Sequence, residues 1–377
     1  MAATRPANPA PAISACLWVI IFFMRARRIR RFGSKVSAEP AGKCQKSYHH
    51  LTIASTLGAS MNQSRAYFAP RRLGHANLFV GNYERAFEFY NDVVGFNEVY
   101  RQPDNMASFV SNGNTYHDLG LTDVRSRYAA PNQAPDIWHL AFEVETEDDL
   151  VRGYRQSIDD GLQYSFTADH DAAHSVYLHD PEGNMVEVYA DVVRDWWTVR
   201  HGIIIKEKPE WVPGVTNVPS KERNYPIDPA IKVVDQAVFH AKKITNVAIV
   251  TKDFAAMFRF YRDRVGLKPI VGTEDSPYAL LNGTAGHGDF ALFRPQPGLK
   301  PGMHHVGFQV WDEADLERSL ALLPAKGIKV ERDVRHAARR CVSIRDPDGL
   351  LLQFHVDRDW TPATIATMDV ETALYAI

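Results

Sequence analysis

A chain of 377 residues exceeds one ordinary domain of ~100–200 residues, so two domains are the default expectation. Its 45 % apolar, 23 % charged and 11 % aromatic residues are the composition of a folded globular protein and argue against disorder. A net charge of −2 leaves no nucleic-acid footprint, and three cysteines (Cys16, Cys44, Cys341) are too few for a disulfide framework, which fits a reducing, cytoplasmic setting.

The charge is unevenly spread. Residues 1–60 carry nine basic residues and one acid, Glu39, which leaves 34 basic against 44 acidic residues in the remainder. A body that acidic is a poor polyanion binder. Within the first 60 residues, Ala12 to Met24 is uncharged and mostly apolar. It is shorter than the ~20 residues a spanning helix needs. The basic run RARRIRR follows it, the reverse of a secretory signal's order. The segment reads as a weak anchor with a polybasic flank, or as an extension from an upstream start with Met61 opening the protein. Either way the core, with no membrane association of its own, is expected to begin near residue 70.

From Arg72 onward the elements come in a repeated order. Ala76 to Val80 is a short apolar strand; Ala86, Phe87, Tyr90 and Val94 then recur at helical spacing, and Gly95 is placed to cap that helix. A second strand and helix run from His139 through Asp160. Asp180-Pro181-Glu182-Gly183 is a turn between two strands, with proline presetting the bend and glycine supplying a positive φ. Trp197 to Lys243, with five prolines, is long and irregular and is expected to wrap the surface or cross between domains. The pattern then begins again.

Laid over itself at an offset near 170 residues, the chain pairs HANLFVGNYERAFEFYNDVVGF (from His75) with NVAIVTKDFAAMFRFYRDRVGL (from Asn246), and HLAFEVETEDDL (from His139) with HVGFQVWDEADL (from His305). SVYLHDPEGNMVEVYAD pairs with VSIRDPDGLLLQFHVD, each shortly before Arg-Asp-Trp. A repeat this long is a duplicated domain rather than a solenoid, whose period is ~20–50 residues.

The strands GHANLFV and WHLAFEV and the closing DPEGNMVEVYAD resemble the vicinal-oxygen-chelate superfamily, over nearly all of residues 70–360. The resemblance implies an α+β fold of two tandem domains, each of two βαβββ modules that curl a mixed sheet around a central cavity. It divides the chain into a metal-binding catalytic domain over 70–192, a linker over 193–242, a degenerate second domain over 243–360 and a tail over 361–377.

The same resemblance brings His75, His139 and Glu187 together as metal ligands. Two imidazoles and one carboxylate on one face of an octahedral ion leave the other face open, which suits Fe(II) and is also accepted by Mn(II). In the second copy Asn246 and Gln353 stand where His75 and Glu187 stand, while His305 matches His139. Exchanging a carboxylate for an amide removes the charge that holds a divalent cation, so that site is expected to be empty, with His304 and His305 as scaffold.

Further residues resemble the type I extradiol dioxygenases. His117, in YHDLGL and expected on a strand, takes the place of their histidine beside the O2 site. Tyr177, ten residues before Glu187, takes that of a substrate-contacting tyrosine. His170 or His174 would supply their further histidine near the substrate. The counterparts of His117 and Tyr177 in the second copy are Gly288 and Ser343, so ligands and acid–base residues are lost together. In the two-domain members of that group the metal lies in the second domain; here the ligand set falls in the first.

The implied function is Fe(II)-dependent cleavage of an aromatic vicinal diol by O2, beside rather than between the hydroxyls. The implied partners are a small aromatic diol, O2 and further copies of the chain. Glyoxalase-type lyases or isomerases, 2-oxo-acid dioxygenases and metal-free binding proteins are the alternatives on this scaffold.

Overall fold

The computed structural model describes residues 66–205 and 208–377; the expectations for residues 1–60 lie outside them. Among the described residues no helix is long and apolar enough to cross a membrane.

The first sheet is built from β1 (Arg72–Val80), β2 (Glu98–Gln102), β3 (Ala107–Val110), β4 (Leu119–Asp123), β5 (Asp136–Glu143), β6 (Phe166–Asp169), β7 (Ala173–His179), β8 (Met185–Asp191) and β9 (Gly202–Ile203). Their order across the sheet is β6-β7-β8-β5-β1-β4-β3-β2-β9. Helix α1 (Tyr83–Phe89) follows β1 and α2 (Glu147–Asp159) follows β5, which gives two βαβββ modules. The modules meet where β1 and β5 pair antiparallel, and each closes on itself by a parallel pair, β1 with β4 and β5 with β8.

Local chemistry explains the helix ends. The Asn82 side chain accepts from the Arg85 amide and Thr146 from that of Asp149, so each helix starts on a polar cap. The helical run after β1 ends at Gly95, whose φ of +90° belongs to glycine.

The second sheet repeats the plan with β10 (Lys243–Val250), β11 (Lys268–Val271), β12 (Tyr278–Asn282), β13 (Phe290–Phe293), β14 (Gly302–Gln309), β15 (Val330–Arg335), β16 (Arg339–Arg345) and β17 (Leu351–Asp357). Helix α3 (Phe254–Phe260) follows β10 and α4 (Glu313–Leu322) follows β14. The two sheets share one apolar core, with Phe96 packed on Phe308 and Phe142 on Phe290.

Each Asp-Pro-x-Gly turn clasps the other domain. Glu182 accepts from the Lys252 and Asp253 amides at 2.6 and 2.8 Å, while Asp348 accepts from the Gly81 amide at 2.8 Å. Tyr261 donates to Asp180 at 3.0 Å, and Tyr90 to Asp346 at 3.3 Å.

Two segments take on structure that no repeat announced. Part of the inter-domain segment becomes β9, which lies parallel to β2 at the sheet edge. Residues past β17, expected as a tail, form α5 (Pro362–Ile365) and α6 (Val370–Ala376). Leu374 and Ile377 pack there with Ala248, Val250, Leu280 and Cys341. They cover the face of the second sheet that corresponds to the cavity face of the first.

Farther along β5 and β8, on the face that carries the triad, lies a buried acid pair. Arg71 and Arg72 reach one oxygen of Glu143 at 2.7 and 2.6 Å. Burial works against the Glu143 charge, but the two guanidiniums hold its pKa low. Asp191 faces Glu143, and burial with that negative neighbour pushes its pKa well above the aspartate range, so it folds protonated. Folding must therefore bind a proton at any pH between the ordinary aspartate value and the raised one, and stability falls as pH rises through that window. Asp191→Asn removes the requirement. Its Tm gain over the parent is expected to grow from pH 5 to pH 8 in thermal melts; a gain independent of pH would contradict the protonated assignment.

Candidate metal centre

The strand register brings the three expected ligands to one face. His75 on β1 lies opposite Ala141 on β5, which lies beside Glu187 on β8, and His139 precedes Ala141 by two residues. Residues two apart on a strand share a face, so all three side chains enter the same cavity. Tyr177 on β7 is directly opposite Glu187 and joins them.

Both imidazole Nε2 atoms stand 3.1 Å from Glu187 Oε2, and all three residues are buried. Ligand bonds of about 2.1 Å at right angles put neighbouring donors ~3.0 Å apart, so the observed spacing fits one octahedral ion. The other Glu187 oxygen accepts from Ser175 at 2.5 Å. Among the described residues, the buried Nδ1 atoms of His75 and His139 have no hydrogen-bond partner. Among the described residues this is the one cluster of histidine, cysteine and carboxylate groups arranged to hold an ion. Burial works against the Glu187 charge, but the facing imidazoles hold its carboxyl well below the usual range; burial lowers the pKa of His139. A carboxylate and two imidazoles are the donor types a divalent cation binds, the carboxylate ionised and the imidazoles neutral once it is bound.

Behind the triad, Tyr189 on β8 passes β1 at Gly74. A methyl group on Gly74 would come within 1.9 Å of the Tyr189 hydroxyl, which requires the glycine of GHANLFV.

The cavity measures about 360 Å³. One wall stacks Tyr100 on Phe109 and another Phe166 on Tyr177, while Trp138 lies between Phe79 and Tyr128. His117 lines it, although it sits in the loop before β4 rather than on a strand as expected. That loop is held by its neighbour Asp118, which accepts from Ser111 and Asn114 and, on the far side, from the Ile244 amide of β10. The His117 ring lies 4.0 Å from that of His75. Burial, followed by the nearby His75 imidazole, pushes its pKa well down.

The two candidate histidines before Tyr177 separate. His170 Nε2 is 2.8 Å from the Tyr177 hydroxyl inside the cavity. His174 turns away, with Nδ1 2.7 Å from Glu147 and its ring stacked on Trp211. Burial raises the Tyr177 pKa well above the usual tyrosine value and lowers that of His170.

Sequence reasoning missed Arg200 and Lys208, which the inter-domain segment delivers to the cavity, and Tyr100 on β2. Arg200 is buried, donates to the His170 carbonyl and stands over the Tyr100 ring. Lys208 is exposed along much of its length, yet loss of water around its ammonium brings the pKa down to about 8. No periodicity or motif marks these positions.

The second copy brings Asn246 and His305 together at 3.3 Å, and the His305 Nε2 that would face an ion is 2.6 Å from the main-chain oxygen of Ile377. Both amide atoms of Gln353 are buried with no hydrogen-bond partner among the described residues.

The family model described as the Glyoxalase/Bleomycin resistance protein/Dioxygenase superfamily matches residues 72–188 and 243–354, the two sheets in turn. The chain belongs to that superfamily. Among curated members, a catechol-2,3-dioxygenase from Bacillus subtilis (strain 168) is 29 % identical over 126 residues, which are 33 % of this chain and 43 % of the relative. A biphenyl-2,3-diol 1,2-dioxygenase 3 from Rhodococcus globerulus is 30 % identical over 123 residues, 32 % of this chain and 63 % of the relative. Each match spans less than two thirds of the relative's length.

Solved superfamily structures share the fold at lower identity. The 2,3-dioxygenase LapB from Pseudomonas sp. KL28 superposes with a TM-score of 0.56 at 17 % identity, over 77 % of this chain and 93 % of that one. A Mn(II)-bound glyoxalase from Novosphingobium aromaticivorans gives 0.55 at 16 % identity, over 78 % and 85 %.

Proposed function

We propose that the chain is an extradiol dioxygenase, which uses Fe(II) held by His75, His139 and Glu187 to open the ring of an aromatic vicinal diol with O2. The observation that carries this reading is the pairing of that triad with His117 on one side and the His170–Tyr177 couple on the other, in one aromatic-walled cavity. A lyase on this scaffold needs no histidine such as His117. The dioxygenase names of the two curated relatives point the same way.

Bound in the triad, a divalent iron supplies Lewis acidity toward two adjacent oxygens and one-electron chemistry toward O2. The chain's own groups do the rest. The Phe166 and Trp138 walls hold the ring and exclude water. His170, neutral through burial, accepts a diol proton at Nε2, relayed by the Tyr177 hydroxyl that its raised pKa keeps protonated. His117 offers a polar edge on the opposite side, where oxygen-derived negative charge develops. One carbon–carbon bond beside the hydroxyls breaks, and both oxygen atoms enter the product.

The test is O2 uptake with simultaneous absorbance after anaerobic Fe(II) loading. Uptake matched mole for mole to a yellow ring-opened product is expected; iron firmly bound with no uptake on any mono-, bi- or polycyclic diol would defeat the reading. Cavity size adds an ordering. An engineered cavity of ~150 Å³ accommodates one benzene ring, and about 360 Å³ is more than twice that. kcat/KM is therefore expected to be at least ~10-fold higher for 2,3-dihydroxybiphenyl than for catechol, since a second ring buries apolar area worth ~25 cal/mol per Å². Equal values would mean that the space is not substrate space.

A further inference from the structure

Tyr100 reaches His117, and Arg200 reaches Tyr100. The Tyr100 hydroxyl is 3.2 Å from His117 Nδ1. The Arg200 guanidinium carbon lies 4.6 Å from the centre of the Tyr100 ring, and its charge acts on the phenol oxygen. Tyr100, His117 and Arg200 are exposed by 1 %, 4 % and 2 %. The remaining ring nitrogen, His117 Nε2, is buried with no hydrogen-bond partner among the described residues.

The geometry and the charges around Tyr100 bear on where the protons sit. Burial pushes the Tyr100 phenol up to about 12 even against Arg200, so the hydroxyl keeps its hydrogen at neutral pH. A guanidinium has donors and no acceptor, and its positive charge repels an O–H dipole aimed at it. The hydroxyl hydrogen therefore turns away from Arg200, and the atom it meets is His117 Nδ1. A neutral imidazole that accepts at Nδ1 carries its own hydrogen on Nε2.

We propose that Tyr100, backed by Arg200, is a positioning residue that fixes His117 as the Nε2–H tautomer, so that the imidazole presents a donor to the cavity beside His75. The tautomer stands on contacts within the chain; its catalytic consequence rests on the ring-cleavage reading above. In the other tautomer a lone pair would face the developing negative charge and repel it. Arg200 comes from the inter-domain segment, so that connection would reach the chemistry through two side chains.

The tautomer can be read without turnover. In the full metal-free chain with 15N-labelled histidine, two-bond proton–nitrogen correlations distinguish the forms, and His117→Gln identifies which ring signals belong to residue 117. The parent is expected to show the Nε2–H pattern. Tyr100→Phe is expected to shift it to a mixture while other histidines hold, with Arg200→Gln in between. An Nδ1–H pattern in the parent, or no change in Tyr100→Phe, would overturn the proposal.

Tyr100→Phe keeps the ring, and an unchanged Tm would verify the fold. In the iron-loaded chain it should lower kcat by ~10–100-fold, the range seen for orienting partners, with KM little altered. Added to His117→Gln, it should cost nothing further; a full additive loss would place Tyr100 outside this relay. If the tautomer shifts as expected but the parent opens no diol, the ring-cleavage reading fails and the positioning role remains.

Discussion

A Glu187→Ala chain loaded anaerobically with Fe(II) and desalted is expected to emerge with almost no iron. Glu187 is the negative charge of the triad, and both imidazoles meet it through the same oxygen at 3.1 Å. Its removal leaves two neutral nitrogens and takes away the charge that offsets the cation. Loss of a partner that merely orients a ligand costs ~10–100-fold in metal affinity, so loss of the charged ligand itself should cost more. Metal analysis of the desalted protein, with the parent as reference, reads the effect directly, and activity should fall with it. Glu187→Gln is the sharper companion, because it writes the Gln353 of the second domain into the first and keeps the side-chain volume. Iron retained at one per chain in both variants would remove Glu187 from the metal site.

The second large effect separates chemistry from binding. His117→Gln is expected to keep its iron and lower kcat by ~10²–10⁴-fold, the usual worth of a positioned acid–base group. The His117 ring lies tilted against that of His75 but contributes no atom to the ion-holding cluster, so metal content should match the parent. KM for the diol should change little, since the contacts proposed for the diol's protons lie on the His170–Tyr177 side. Unaltered turnover would take His117 out of the mechanism, and lost iron would make it a ligand or a structural prop.

These two expectations rest on residues that the sequence alone brought forward. The duplication was legible because both copies keep the same apolar strand and helix spacing, and the triad because GHANLFV, WHLAFEV and DPEGNMVEVYAD resemble the superfamily's ligand-bearing strands. The loss of His75 and Glu187 in the second copy was equally plain, since one half serves as reference for the other. His117 was legible as a residue but not as a location. Its loop is tied to β10 through Asp118 and Ile244, a contact across 126 residues.

What the sequence by itself determined is the module plan, the pairing of the halves and which half carries a carboxylate with two imidazoles. These follow from local patterning, because hydrophobic period, turn residues and side-chain chemistry act within a few positions of the chain. Tertiary structure decided the rest: His170 over His174 at Tyr177, the closure of the second sheet by α5 and α6, and the arrival of Arg200 and Lys208 from an irregular segment. Each depends on where side chains from distant parts of the chain meet. His174 was drawn off by Glu147 and Trp211, and Arg200 was drawn in by the Tyr100 ring and the His170 carbonyl. Irregular segments have no period to read, so their side chains acquire partners only once the sheet has curled and its cavity exists.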